Sequence, residues 1–226
     1  LTLKAAVGSG TIGTPHRFES RMERFRLLPK GDWRELKDPE ALGGVLYDFA
    51  PHLVDQALDL MGPVVSVNAH ARTLREIPVS DDDLLIMLQH ESGGISYLVG
   101  SLATALPGPR FTLAGTTGAL RINDVDTQEK HLKLGVIPGD GWGVESDESI
   151  IEIWSSDAAG ELTHSTLPSE IGNWPEYYRE VLAFLTESVL PTVTLDQAVA
   201  TTRVIDAARI SVANGEVVRL EPPASH

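Results

Sequence analysis

From residue 64 to residue 134 the chain runs through six short β-rich segments, at 64–73, 84–90, 94–102, 110–115, 119–123 and 131–134, with only turns between them. Parallel strands need crossovers of a dozen or more residues, so strands spaced this closely pair antiparallel. The turns are marked by Ser92-Gly93-Gly94, Pro107-Gly108-Pro109 and Thr117-Gly118, residues suited to chain reversal. A further hairpin is expected at 149–154 and 161–167, and a short last strand at 217–220. The class is α+β: an open-faced, mostly antiparallel β-sheet of at least six strands, with helices on one face.

The helices lie at the ends of this run. Residues 1–7 read as the last turns of a helix stopped at Gly8-Ser9-Gly10, because glycine takes the left-handed conformation that ends helices. At 15–26 an alternating strand sets Phe18 and Met22 against Arg17, Glu19, Arg21 and Glu23,. A polar loop at 29–44 precedes a helix from about Asp48 to Met61, closed by Gly62-Pro63. Pro51 is tolerated only in a first turn, which places the helix start near Asp48. Residues 174–189 carry apolar side chains at helical spacing, so Tyr177 and Tyr178, beside Val181 and Leu182, are expected to pack in the core,. The helix at 195–213 opens on a capping box, Thr194 with Gln197,. Residues 222–226 are expected to fray.

Composition excludes several functions. The net charge of −14, from 32 acids against 18 bases, repels phosphate backbones and anionic lipid surfaces, so neither nucleic acid nor a membrane is an expected partner,. No apolar run approaches the ~20 residues of a membrane span. There is no cysteine and no secretory signal pattern, which together fit a cytoplasmic setting,.

Two patterns carry possible chemistry. Gly8-Ser9-Gly10-Thr11-Ile12-Gly13 matches the G-x-G-x-x-G fingerprint of dinucleotide binding. That reading needs a helix to open inside the motif. Pro15 and a strand pattern follow instead, so the motif reads as a helix stop and a turn. Asp48, His52, Asp55 and Asp59 fall at spacings 0, 4, 7 and 11, within roughly 60° of one another on a helix and opposite an apolar face. Three readings stay open here: a solvated stripe with Asp48 as a cap, an Asp–His pair able to move a proton, or a weak metal site. Arg110 is either half of a surface salt bridge or a structural or substrate contact. Trp33, Trp142 and Trp174 suit either stacking on a sugar or ordinary packing. His16, His70, His90, His131 and His164 are assigned no chemistry.

Gly43-Gly44-Val-Leu-Tyr-Asp48-Phe-Ala-Pro-His52-Leu-Val-Asp55 resembles the G-G-x-x-x-D-x-x-x-H-x-x-D segment of the Gfo/Idh/MocA oxidoreductases. Gly10-Thr-Ile-Gly13, Arg110-Phe111 with Gly115-Thr-Thr-Gly118, Asp126-Thr-Gln128-Glu129, Trp142-Gly143 and the 191–196 lead-in follow in the family's order. The resemblance covers about residues 1–220 and is nearest to the inositol and sugar dehydrogenase subgroup. It departs at Leu42-Gly43-Gly44, where the family has three glycines, and at Gly172-Asn173-Trp174, where it often has G-D-Y.

The resemblance implies a division of the chain. Residues 1–14 would be the end of a helix and a turn leading from a dinucleotide-binding (Rossmann) domain that this chain lacks. Residues 15–226 would form the substrate-binding and oligomerisation domain. Asp48 and His52 would be catalytic, working with a lysine of the missing half. Arg110, Trp174 and Tyr178 would be candidate substrate contacts. NAD or NADP would serve the complete enzyme, without binding tightly to this chain. The expected partners are a small sugar or polyol and a second copy of the chain, in a homodimer or higher oligomer through the sheet face. The alternatives are a non-catalytic sugar-binding or regulatory protein, or an oligomerisation protein, on the same fold.

Overall fold

The computed structural model describes residues 1–37, 42–76, 79–123, 127–139, 142–144, 150–157 and 159–221. The expected fraying at 222–226, the Asp126 match and residue 149 lie outside the described residues.

Helix α1 (Thr2–Gly8) leads into β1 (Pro15–Glu23). A single 3₁₀ turn (Trp33–Glu35) follows, then α2 (Val45–Asp48), α3 (Ala50–Met61), β2 (Val64–Arg72), β3 (Asp83–His90), β4 (Ile95–Ser101), β5 (Phe111–Gly115) and β6 (Gly118–Ile122). The chain continues through α4 (Thr127–Lys133), β7 (Ile150–Ser156), β8 (Leu162–Pro168), α5 (Pro175–Glu187), α6 (Leu195–Asn214) and β9 (Val218–Arg219). The nine strands of the described residues join one sheet in the order β8-β7-β6-β5-β1-β4-β3-β2-β9. Every pairing is antiparallel except β1 with β4. The long stretch between those two strands supplies the crossover that a parallel pair requires.

The sheet has one covered face. Phe18 and Ser20 of β1, Leu98 of β4, Leu84, Ile86 and Leu88 of β3, and Leu113 and Leu120 of β5 and β6 are all buried. Helix α3 packs on β1 and β4, while α6 packs on β2, β9 and α3. The alternate residues, Arg17, Glu19 and Arg21 of β1 with Leu85 and Tyr97, look out from the other face.

Three expectations need correction. The segment 131–134 is no strand: it lies in and just after α4. A four-residue apolar window cannot separate strand from helix, and the Lys133–Glu129 ion pair at 2.5 Å, spaced i,i+4, favours the helix,. The helix expected to begin near Asp48 is two pieces, α2 and α3. Pro51 has no N–H to continue the ladder, so the hydrogen bonding breaks and restarts from Phe49. Finally, α5 does not cover the sheet. It has no buried residue, and Tyr177 and Tyr178 are 66% and 74% exposed rather than packed in the core. A left-handed Ser188 (φ 58°) ends α5 early, whereas α6 begins on the expected capping box.

Among the described residues no helix is long and apolar enough to cross a membrane.

Candidate active site

Asp48 ends α2, and His52 stands in the first turn of α3, so both side chains project from the junction of the two helices. They line one cleft of about 220 Å3, together with Trp33, Arg34, Gly43, Gly44, Tyr47 and Pro51. His52 is exposed and Asp48 half-buried. The carboxylate of Asp48 meets Arg34 Nε at 3.3 Å, and among the described residues it makes no hydrogen bond to His52. Both members of the Arg34–Asp48 pair remain well exposed, and such pairs contribute only ~0–1 kcal/mol. Asp48 can therefore exchange Arg34 for another partner at small cost.

Asp55 stands one turn beyond His52. Its carboxyl is held above the usual range, first by desolvation and then by the neighbouring Asp59 carboxylate, while His52 opposes the shift. Among the described residues no three His, Asp or Glu side chains converge to hold a metal ion.

The wall opposite α2 and α3 is the 30–36 segment. Asp32 accepts from the N–H of Arg34 at 3.1 Å and starts the short turn. The Arg34 guanidinium lies over the Trp33 ring, 4.7 Å from its centroid. Glu35, next in sequence, points inward and takes Arg75 Nη1 at 3.0 Å and the N–H of Lys30 at 2.5 Å. Arg75 in turn donates from Nε to Asp82 at 2.8 Å. Burial alone would raise the Glu35 carboxyl, but Arg75, the Lys30 N–H and Arg26 outweigh it, so Glu35 titrates below the usual range.

Asp81, which lies between β2 and β3, ties α2 to that pair of strands by accepting from the N–H of Leu46 at 2.8 Å. The paired glycines answer to this crowding. Gly44 has φ +99°, and any Cβ there would strike the Asp81 carboxylate. A Cβ on Gly43 would come within 2.8 Å of the Arg34 and Leu36 carbonyls.

Arg110, Trp174 and Tyr178 do not line this cleft. Arg110 sits where β1, β5 and α3 meet, bonded to Ser20 Oγ at 2.7 Å and stacked over Phe111. Among the described residues the surface salt bridge considered for it is not formed. Trp174 precedes α5, its N–H bonded to the buried Gln128 at 2.8 Å and its ring edge-on to Trp142. Tyr178 lies exposed on α5 against Tyr177. Of the cleft residues not singled out from sequence, the charged one is Arg34. Its place depends on Glu35, and the only sequence signal was an aromatic–cation pair in a polar loop.

The G-x-G-x-x-G match does not fit a pyrophosphate. Helix α1 ends at Gly8, where the fingerprint needs a helix to begin. The position a Cβ would take on Gly13 is filled by the Thr116 and Thr117 side chains.

The fold and site are thus an open, mostly antiparallel sheet with a carboxylate and an imidazole at a helix junction. The chain belongs to the oxidoreductase family, matching the model of its C-terminal alpha/beta domain over residues 4–220. It is 28% identical over 222 residues to the scyllo-inositol 2-dehydrogenase (NADP(+)) IolW of Bacillus subtilis, covering 98% of this chain and 61% of that protein. It is 31% identical over 224 residues to the oxidoreductase C26H5.09c of Schizosaccharomyces pombe, covering 92% of this chain and 60% of that one. The structure of YPO2259 from Yersinia pestis superposes with a TM-score of 0.88 at 28% identity, over 98% of this chain and 61% of that one. The chain thus spans about three-fifths of the length of the relatives it matches.

Proposed function

We propose that this chain is the substrate domain of an NAD(P)-dependent oxidoreductase acting on a CH–OH group of a sugar, inositol or related polyol. The reading is carried by Asp48 and His52, one turn apart and opening on the same cleft as Trp33 and Arg34. His52 accepts the proton of the hydroxyl being oxidised, and Asp48 orients the imidazole once its weak tie to Arg34 is exchanged. The exposed Trp33 ring offers an apolar platform for the C–H face of a sugar ring,. A cleft of about 220 Å3 takes a single ring. The polyol named for IolW supports the substrate class. NAD or NADP, held by the remainder of a complete enzyme, supplies the oxidant. A cytoplasmic setting fits the lack of cysteine,.

The test is steady-state kinetics on this chain joined to a dinucleotide-binding domain, for example that of IolW. His52→Ala is expected to lower kcat by ~10²–10⁴-fold, and Asp48→Asn by a similar or smaller factor. Turnover within about twofold for both variants would return the stripe to the role of a solvated helix surface.

A further inference from the structure

Arg110 is a part-buried, desolvated cation whose partners differ from those of the buried Arg75. Arg75, which is less exposed than Arg110, has two carboxylates, Glu35 and Asp82. Arg110 has none. Its Nη1 donates to Ser20 Oγ at 2.7 Å and its Nη2 reaches Gln56 Oε1 at 3.4 Å. Ser20 in turn donates to the same Gln56 oxygen at 2.8 Å, so the immediate shell is neutral. The Phe111 ring lies 4.1 Å below the guanidinium. Desolvation, with no carboxylate to offset it, lowers the Arg110 pKa to about 10. A guanidinium has five N–H donors, and the donors Arg110 leaves unengaged are not sealed inside the fold. Burying a cation without an anion is costly, and buried charges are normally paired. Gln56 lies one helical turn beyond His52 on α3, so Arg110 sits on the same flank of that helix.

We propose that Arg110 is the receptor for an oxyanion, the carboxylate or phosphate of a small ligand, at the junction of β1, β5 and α3. The planar fork suits bidentate recognition of either group, and Ser20, Gln56 and Phe111 hold it in place. This inference does not depend on the hydride-transfer reading.

The experiment is thermal unfolding of the chain in sodium phosphate and in sodium acetate, each against sodium chloride at matched ionic strength. At ten times its Kd, the recognised anion is expected to raise Tm by about 3–5 °C. A response to phosphate alone marks a phosphorylated ligand, and one to acetate marks a carboxylated ligand. Arg110→Met is expected to abolish the response and, without anion, to melt no lower than the unsubstituted chain. Arg110→Lys keeps the charge without the fork and is expected to respond less. The proposal is overturned if neither anion acts beyond chloride, if either variant keeps the full response, or if Arg110→Met melts well below the unsubstituted chain.

Discussion

His90 shows how a single side chain sets a pH limit on this fold. It is buried at the end of β3, with Nδ1 2.7 Å from the Gly62 carbonyl and Nε2 2.7 Å from Ser96 Oγ. A carbonyl only accepts, so Nδ1 carries a proton. Burial disfavours a second proton on Nε2, and in the neutral ring Nε2 accepts from the Ser96 hydroxyl. Burial disfavours the imidazolium and holds its pKa below the usual 6.5, despite the opposing Gly62 and Pro63 carbonyls. The folded value lies below the unfolded one, so protons favour the unfolded chain. The stability tied to His90 is complete above pH 6.5 and is lost as the pH falls through the folded value. Thermal melts between pH 8 and pH 5 are expected to decline from about pH 6.5 downward. His90→Gln should flatten that decline while costing about 1–3 kcal/mol at pH 8, through the broken pairings. An undiminished acid slope in the variant would exclude His90 as its source. Glu35 does not confuse the window, because its carboxyl titrates below the usual 4.5.

Among the elements, the segment carrying Trp33 and Arg34 is held by charges rather than by apolar packing. The side chains of Arg75, Glu35 and Asp82 are 3%, 5% and 0% exposed, so they form a buried ionic triad between this segment and the β2–β3 hairpin. Removing one partner of such a set strands the others in a poorly solvating interior. Arg75→Met is expected to cost about 3–5 kcal/mol in urea unfolding. Replacing all three together (Arg75→Met, Glu35→Gln, Asp82→Asn) is expected to recover most of that loss, since no net charge then stays buried. A single-variant cost under ~1 kcal/mol would show that the triad is solvated in solution. Arg34 follows Glu35 in this anchorage, so the cleft wall inherits its position from residues outside the cleft.

At the scale of the whole molecule, the uncovered sheet face stands out. Leu85 of β3 is 44% exposed, and it pairs across the strands with Val99 of β4, as Met87 pairs with Tyr97. Beside them, Arg17, Glu19, Arg21 and Glu23 of β1 form a ladder of ion pairs along the strand. We propose that the β3–β4 part of this face pairs two copies of the chain, with Leu85, Met87, Tyr97 and Val99 buried and the charged row of β1 flanking them. A stable dimer buries ~800 Å2 on each partner. Light scattering is expected to give twice the chain mass at micromolar concentration, and Leu85→Glu with Tyr97→Asp to give the single chain. A monomer at high micromolar concentration in the unsubstituted chain would remove the proposal.

Local sequence determined the elements whose formation depends on near neighbours. Alternation along β1 to β4, glycine-marked turns and the Thr194–Gln197 box all act within a few residues, so they read directly as strands, reversals and a helix start. The Asp48–His52 pair was legible for the same reason, as one helical turn separates the two. Tertiary structure alone decided whatever depends on contacts far apart in the chain. It set β1 parallel to β4, left the apolar stripe of α5 exposed, and desolvated Arg110 without a carboxylate partner among the described residues. It also brought Arg34 onto Asp48 through Glu35, Arg75 and Asp82. Such contacts draw their energy from desolvation and from charges brought together by the whole sheet, and neither quantity exists in a local window of sequence.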